Sequence, residues 1–327
     1  MMKSILILSD LHLKPICKYG LRALKFDLLK MVLQTFRAQV DFIVITGDLE
    51  DSSLVDLDLE MEIAQVFLDL KEDLRKLVIL GGNHETRLQK YVPSDLFAVG
   101  AGIKVVKEDH LILDDGNLVF RGFSKTPIPD GLGRFFFGHQ PVNYRDQGWF
   151  ETQAEDLLKL SYERIFLGDI HQRHDIQDKL HSVGAMFTSS FSDEGLIGNF
   201  MILEYDEHGS NVSRYETDPS GAYPKFYTVS VEDFKMSFAP WDIEHNIFKL
   251  KFRGPVEENT QERREKLRDE LLAKGARQVL IGEVSYTNGA HTLLPSEILS
   301  EREVIKQRAK EANWTTEMQE EFERRLS

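Results

Sequence analysis

Cysteine is nearly absent: Cys17 is the only one in 327 residues. No internal disulfide can form, which points to a reducing compartment. A structural zinc site built on several thiolates is excluded as well. Long hydrophobic runs are also missing. No stretch approaches the ~20 apolar residues of a membrane-spanning helix. The opening MMKSILILSD carries one lysine and a short apolar run, too little for a signal peptide. A cytoplasmic protein with no membrane partner is expected. Positive charge is in deficit, with 40 Lys and Arg against 54 Asp and Glu, a net charge of −14. That argues against binding nucleic acid through bulk charge. A local basic track or bound cations can still reverse the sign at one site. There is no internal repeat and no low-complexity segment. The remaining composition, 42% hydrophobic and 29% charged, is that of a globular chain long enough for one large domain or two.

Strand-like and helix-like segments alternate in the first half. KSILIL (3–8), DFIVIT (41–46) and KLVIL (76–80) are continuous apolar runs, as expected of strands buried on both faces. Between them, residues 21–39 and 56–74 have helical spacing. This βαβαβ order predicts a parallel sheet. From about 103 the strands shorten and turn residues intervene, until RFFFGH (134–139) and RIFLGD (164–169) restore buried strands around a helical segment at 150–161. Residues 198–218 predict a hairpin turning at Glu207–Asn211. The fold class expected is α/β (α+β), with a boundary in the Pro- and Gly-containing DPSGAYP (218–224). Beyond it, two strands, a charged helix (260–275) and another strand predict a small α/β module over 222–290. An amphipathic helical tail follows over 295–327.

The buried strands end in polar clusters. The first delivers Asp10 and His12, the second Asp48 and Asp51 in GDLED, the third Asn83 and His84 in GGNHE. FGHQP delivers His139, and LGDIHQRH delivers Asp169, His171 and His174. Ligands of open α/β sheets bind outside the carboxyl ends of the strands, where all five clusters fall. Carboxylate, imidazole and amide oxygen together suit Mn²⁺, Mg²⁺ or Fe²⁺. So many candidate ligands exceed the needs of one ion and suit two ions roughly 3.5–4 Å apart that share a carboxylate.

The series DLH, GDLED, GNHE, GH and GDIH resembles the calcineurin-like metallophosphoesterase superfamily over at least residues 7–172. The resemblance implies a β-sandwich of two mixed sheets flanked by helices. It also implies metal-dependent phosphodiesterase activity with two divalent ions, Mn²⁺ foremost. Within the superfamily the chain is most similar to SbcD-type nuclease subunits, including phage recombination endonucleases. SDLHL, the segment VGAMFTSSFSDEG (183–195) and the small module carry that closer likeness. Transferred by motif, Asp10, His12 and His171 would hold one metal, Asn83 and His139 the second, and Asp48 would bridge them. His84 would be the catalytic acid, oriented by Asp51. The last motif departs from the usual Gly-His-x-His: Asp169 stands in the first histidine's place. Either Asp169 ligates directly and hardens the site toward Mn²⁺ or Mg²⁺, or it supports the shell while His174 or water substitutes.

The implied function is that of a DNA exo- and endonuclease subunit of an SbcCD-type complex, hydrolysing phosphodiesters with a two-metal-activated hydroxide. The alternative is a standalone metallophosphoesterase acting on nucleotides, cyclic nucleotides or phosphoproteins. Implied partners are DNA, an SMC-like ATPase docked on the tail, and a second copy meeting helices of the catalytic domain. The compartment would be the host cytoplasm for a phage protein. Arg87, Lys90, Arg173, His174 and His181 are candidate substrate contacts. His110, His208, His245 and His291 are expected at the surface or satisfied within the fold.

Overall fold

The structure, a computed structural model, describes residues 1–15, 18–51, 56–69, 76–84, 103–107, 109–143, 152–232, 243–254 and 260–286. The chain opens with β1 (Lys3–Leu8), α1 (Arg22–Phe36), β2 (Phe42–Ile45), α2 (Leu57–Leu68) and β3 (Leu77–Leu80). It continues through β4 (Lys104–Val106), β5 (His110–Leu113), β6 (Leu118–Arg121), β7 (Phe135–His139), α3 (Ala154–Lys159) and β8 (Arg164–Gly168). Then come β9 (His174–Ile176), β10 (Leu180–Ser182), β11 (Asn199–Tyr205) and β12 (Ser210–Glu216). The last elements are β13 (Phe226–Glu232), β14 (Ile247–Gly254), α4 (Gln261–Ala273) and β15 (Gln278–Tyr286).

Two six-stranded mixed sheets result, in the orders β12-β11-β1-β2-β3-β4 and β5-β6-β7-β8-β10-β9. Strand alternation sorts their side chains into layers. Ile5, Ile7, Val44, Val78 and Leu80 face inward and meet Leu118, Phe120, Phe135, Phe137 and Phe166 of the other sheet. Leu6, Leu8, Ile43, Ile45 and Ile79 face outward, under Phe26, Leu29 and Leu33 of α1 and Leu59, Ile63 and Phe67 of α2. On the far side, Phe136, Ile165 and Leu167 pack under Ala154 and Leu157 of α3. Burial on both faces explains why these strands read as unbroken apolar runs.

Register builds an aromatic ladder inside the sandwich. Phe120, Phe137, Phe166 and His181 are successive partners across β6, β7, β8 and β10. Their rings stack at 5.0, 5.1 and 5.0 Å between centroids. The hairpin β9–β10 was not expected from sequence. It turns at Gln177 and Asp178, both with φ of 53°, where glycine or asparagine is the usual signal. The β11–β12 turn comes at Asp206–Gly209, slightly before the expected position, because the Asp206 carboxylate accepts the N–H groups of His208 and Gly209.

A third sheet, β13-β14-β15, is wholly parallel. Its own core joins Val231, Phe248, Leu250, Phe252 and Val279 to Leu271 of α4. Phe226 and Ile247, on its other face, pack against Leu21 at the start of α1. The Arg277 guanidinium donates to the carbonyls of Tyr19 and Gly20, at 3.0 and 2.9 Å. The expected tail helix lies outside the described residues. Among the described residues no helix is long and apolar enough to cross a membrane.

Phe137 is fully buried in the middle of the ladder. Phe137→Ala is expected to cost about 3–5 kcal/mol, the range for emptying such a site. Chemical denaturation checks this, and a loss below about 1 kcal/mol would show that the ladder does not brace the sandwich.

Candidate metal centre

Parallel register brings the strand ends level. Leu8 pairs with Ile45, Ile45 with Ile79, and His139 with Gly168. The chain then leaves each strand in a conformation that points a polar side chain outward. Asp10, His12, Asp48 and Asp169 have φ of 49°, 45°, 48° and 88°. Such left-handed backbone is uncommon outside glycine, is more tolerated by Asp and His than by most residues, and concentrates at functional sites. Continued pairing past the strand ends holds it: the N–H groups of Asp10 and His12 donate to the carbonyls of Gly47 and Asp48, at 3.2 and 3.0 Å.

Two glycines form the floor. A Cβ on Gly47 would lie 2.2 Å from Nδ1 of His139, and one on Gly168 would lie 2.3 Å from the Thr46 carbonyl oxygen. The bare backbone lets the His139 ring cross from one sheet to the other and donate Nδ1–H to that carbonyl at 2.7 Å.

Asp48 sits at the centre. Its Oδ2 is 3.7 Å from Nε2 of His12, and its Oδ1 is 3.4 Å from Nε2 of His139. The two oxygens of one carboxylate thus face two groups of ligands. On one side Nε2 of His12 and Nε2 of His171 approach to 2.9 Å, with Asp10 Oδ1 4.0 Å from His12. On the other, Asp169 accepts from the Asn83 amide and lies 3.6 Å from Nε2 of His139. Asp10, His12 and His171 offer ligand atoms within 4.8 Å of one another, and so do Asp10, Asp48 and His139.

Three of the cluster's histidines are oriented from behind by an oxygen on Nδ1. His171 uses Asp193 at 2.8 Å, His84 uses Asp51 at 3.0 Å, and His139 uses Thr46. This fixes the tautomer and turns Nε2 to ligate or to carry a proton. His84 also donates its backbone N–H to Asp48 at 3.1 Å, while its ring stays about one-third exposed above the cluster.

A family model for the calcineurin-like phosphoesterase matches residues 3–173. The chain belongs to this family. Among solved structures it is similar to a predicted phosphoesterase from Streptococcus pneumoniae TIGR4, at 14% identity over 67% of this chain and 91% of that one, with a TM-score of 0.34. It is also similar to a dimetal phosphatase from Danio rerio, at 14% identity over 66% and 96%, with a TM-score of 0.43. No curated protein matches the sequence.

As a calcineurin-like phosphoesterase the chain is a metal-dependent hydrolase, and its residues fit two divalent cations. Nε2 of His139 and Oδ1 of Asn83 are buried with no hydrogen-bond partner. Such orphaned groups are costly unless something binds them. Ligands roughly 2.1 Å from an ion and at right angles to each other are about 3 Å apart, which the His12–His171 separation of 2.9 Å matches. Asp169 lies beside Asn83 and His139, on the second ligand group. His174 is on the edge strand β9, and neither it nor Asp169 belongs to the close ligand groups of Asp10, His12 and His171 or of Asp10, Asp48 and His139.

Without cations the cluster holds protons in their place. Burial, reinforced by the neighbouring Asp48, pushes Asp10 up to about 6. Burial opposes charge on His139, but Asp48, Asp169 and Asp10 outweigh it and raise the imidazole to about 10. Burial likewise opposes charge on His171, and the Asp193 hydrogen bond and Asp10 outweigh it and raise it. His12 goes the other way, pushed down to about 2 by burial and by His171. Burial raises Asp51, but hydrogen bonds from His84 and Lys14 outweigh it and hold it below the usual carboxylate range.

Of the candidate substrate contacts, His181 is corrected. It is 2% exposed, stacked on Phe166, and its Nδ1 meets Asp175 at 2.8 Å. A side chain closed inside the sandwich cannot reach a substrate. Arg173 is exposed two residues after His171. Arg87 and Lys90 lie outside the described residues. Sequence reasoning passed over Asp193, although its segment, SSFSDEG, is part of the stretch that resembles the nuclease subunits. It also passed over Ser9, whose hydroxyl donates to Asp10 at 2.5 Å.

Ligation requires these protons to leave. At pH 7 His139 carries one, and below about pH 6 Asp10 adds another. Affinity for a divalent cation is therefore expected to rise from pH 6 to pH 8, by up to about tenfold per unit for each proton displaced. Titration calorimetry in buffers of different ionisation heat checks this. A pH-independent affinity with no proton release would contradict the assignment.

Proposed function

We propose that this calcineurin-like phosphoesterase hydrolyses DNA phosphodiesters as the nuclease subunit of an SbcCD-type assembly, with Mn²⁺ as its preferred ion. Residues 1–218 form the catalytic domain in this reading, 222–290 a capping and DNA-binding domain, and 295–327 the segment that docks on an SMC-like ATPase. Met31 on α1 and Met61 and Leu68 on α2 are exposed apolar side chains. They favour these helices as the contact with a second copy.

The observation that carries the proposal is a basic row on the third sheet. Along β14, Lys249, Lys251 and Arg253 alternate with the buried Phe248, Leu250 and Phe252. The row lies on the face where Phe226 and Ile247 pack against the start of α1. Its first member, Lys249, sits 5.9 Å from the centroid of Phe191. Two residues on, Asp193 braces His171. Lys251 is shared with Glu283 at 3.7 Å, and its side chain remains 43% exposed. In an acidic chain, a local row of cations suits a polyanionic strand better than a small monoester.

Bound cations would supply Lewis acidity and an activated water at neutral pH. Asp10, His12, His171, Asn83, His139 and Asp169 would hold them, with Asp48 between. His84 presents Nε2 to a leaving oxygen while Asp51 holds Nδ1, so that the ring can deliver a proton in the right tautomer. His84 and Lys14, both bonded to Asp51, keep that carboxylate ionised.

Purified protein with Mn²⁺ and end-labelled double- and single-stranded DNA tests this reading. Metal-dependent cleavage is expected, reduced about 10²–10⁴-fold in His84→Ala. Turnover of a small diester with DNA untouched, even with an ATPase subunit present, would favour the nucleotide or phosphoprotein alternative. A second measurement addresses the basic row. Replacing Lys249, Lys251 and Arg253 by alanine is expected to lower the salt dependence of DNA binding by about 0.9 in slope for each phosphate that is no longer neutralised. An unchanged slope would detach β14 from the DNA path.

A further inference from the structure

Lys25, in the first turn of α1, is 2% exposed, which is rare for a lysine. Its Nζ donates to the carbonyls of Leu11 and His12, both at 3.0 Å, and to the Ser189 hydroxyl at 2.7 Å. The three N–H bonds of an ammonium thus meet three acceptors. The ammonium also lies 5.5 Å from the centroid of the Phe187 ring.

These acceptors belong to two segments far apart in sequence. Leu11 and His12 lie in the left-handed stretch that presents Asp10 and His12. Ser189 begins the loop in which its own N–H and that of Ser190 donate to Asp193 Oδ2, at 2.8 and 3.0 Å. The other oxygen of Asp193 takes the Nδ1–H of His171 at 2.8 Å. His171 then faces His12, Nε2 to Nε2, at 2.9 Å. These bonds close a ring: His12 backbone, Lys25, Ser189, Asp193, His171 and back to the His12 side chain. Asn83, Asp169 and His139 take no part in it.

We infer that Lys25 is a positioning residue for one cation site only, setting the separation of His12 and His171 by tying the stretch that carries His12 to the loop whose Asp193 holds His171. The inference rests on the metal-binding reading of the cluster. A buried ammonium suits this task because its three bonds converge on one atom, so the two loops cannot drift apart without breaking a charged hydrogen bond in a low-dielectric interior. Supports of this kind behind the ligands commonly change metal affinity about 10–100-fold when removed.

The test is calorimetric titration of the metal-stripped full chain with Mn²⁺. Wild type is expected to take up two ions. In Lys25→Met, one of the two is expected to bind at least about tenfold more weakly while the other is unchanged. Because that variant leaves buried acceptors unpaired and can lose the fold, Ser189→Ala is titrated beside it. It cuts only the link between the loops and should weaken the same single site severalfold, with Ser189→Thr restoring it. Thermal melts of the metal-free forms establish that the variants are folded. Two identical isotherms for wild type and Ser189→Ala would overturn the inference, as would equal weakening of both sites, the mark of a merely structural role. A wild type that binds no Mn²⁺ would instead remove the metal reading itself, and the inference with it.

Discussion

The carboxylate of Asp48 is the point on which the two halves of the site converge. It follows a parallel strand of the first sheet, accepts the backbone N–H of His84, and turns one oxygen toward His12 and the other toward His139, which belongs to the second sheet. A buried anion in this position is unstable alone. Everything around it can be understood as arranged to offset that charge: imidazoles on both sides, a backbone donor, and space for cations whose charge exceeds what any protein donor supplies. The sandwich is therefore more than a scaffold. Its two sheets must approach closely enough for one carboxylate to serve ligands from both.

That approach depends on the interior. The ladder of Phe120, Phe137 and Phe166 with His181 fills the space below the ligand edge, and His139 sits at the end of the same strand as Phe137. Packing in the core thus fixes the height at which His139 reaches across to Thr46. The link from sequence to site runs through alternation: inward aromatics set the sheet spacing, and the last residue of the strand becomes a ligand.

Much of this was legible in the sequence because doubly buried strands leave a continuous apolar trace that ends where polar function begins. Asp10, Asp48, His139 and His171 could be placed at strand ends on that basis alone, and the family motifs added the pairing of His84 with Asp51. The hairpin from His174 to Ser182 was missed because its turn is built from Gln177 and Asp178, and its strands are only three residues long. His181 was misjudged for the same reason: without the strand, nothing showed that the side chain points into the core. Lys25 and Asp193 were passed over because their roles arise from bonds between segments more than a hundred residues apart in the first case and about twenty in the second. Local pattern does not record such bonds. The expectation of a small capping module rested on its βαβ-like order of elements. The structure gives that stretch a parallel sheet with its own core.

The two floor glycines divide the site by mutational freedom. Beside Gly168 stands Asp169, whose side chain points toward Asn83 and His139, where there is room for one. There is none at the glycine, because any side chain there would strike the Thr46 carbonyl, the Ser9 hydroxyl and the His139 ring together. Gly47 and Asp48 repeat the pattern on the opposite sheet. A donor beside either glycine can be exchanged without moving the chain, whereas a side chain on the glycine itself has nowhere to go. The bare positions, and not the reactive ones, set how close the two sheets come.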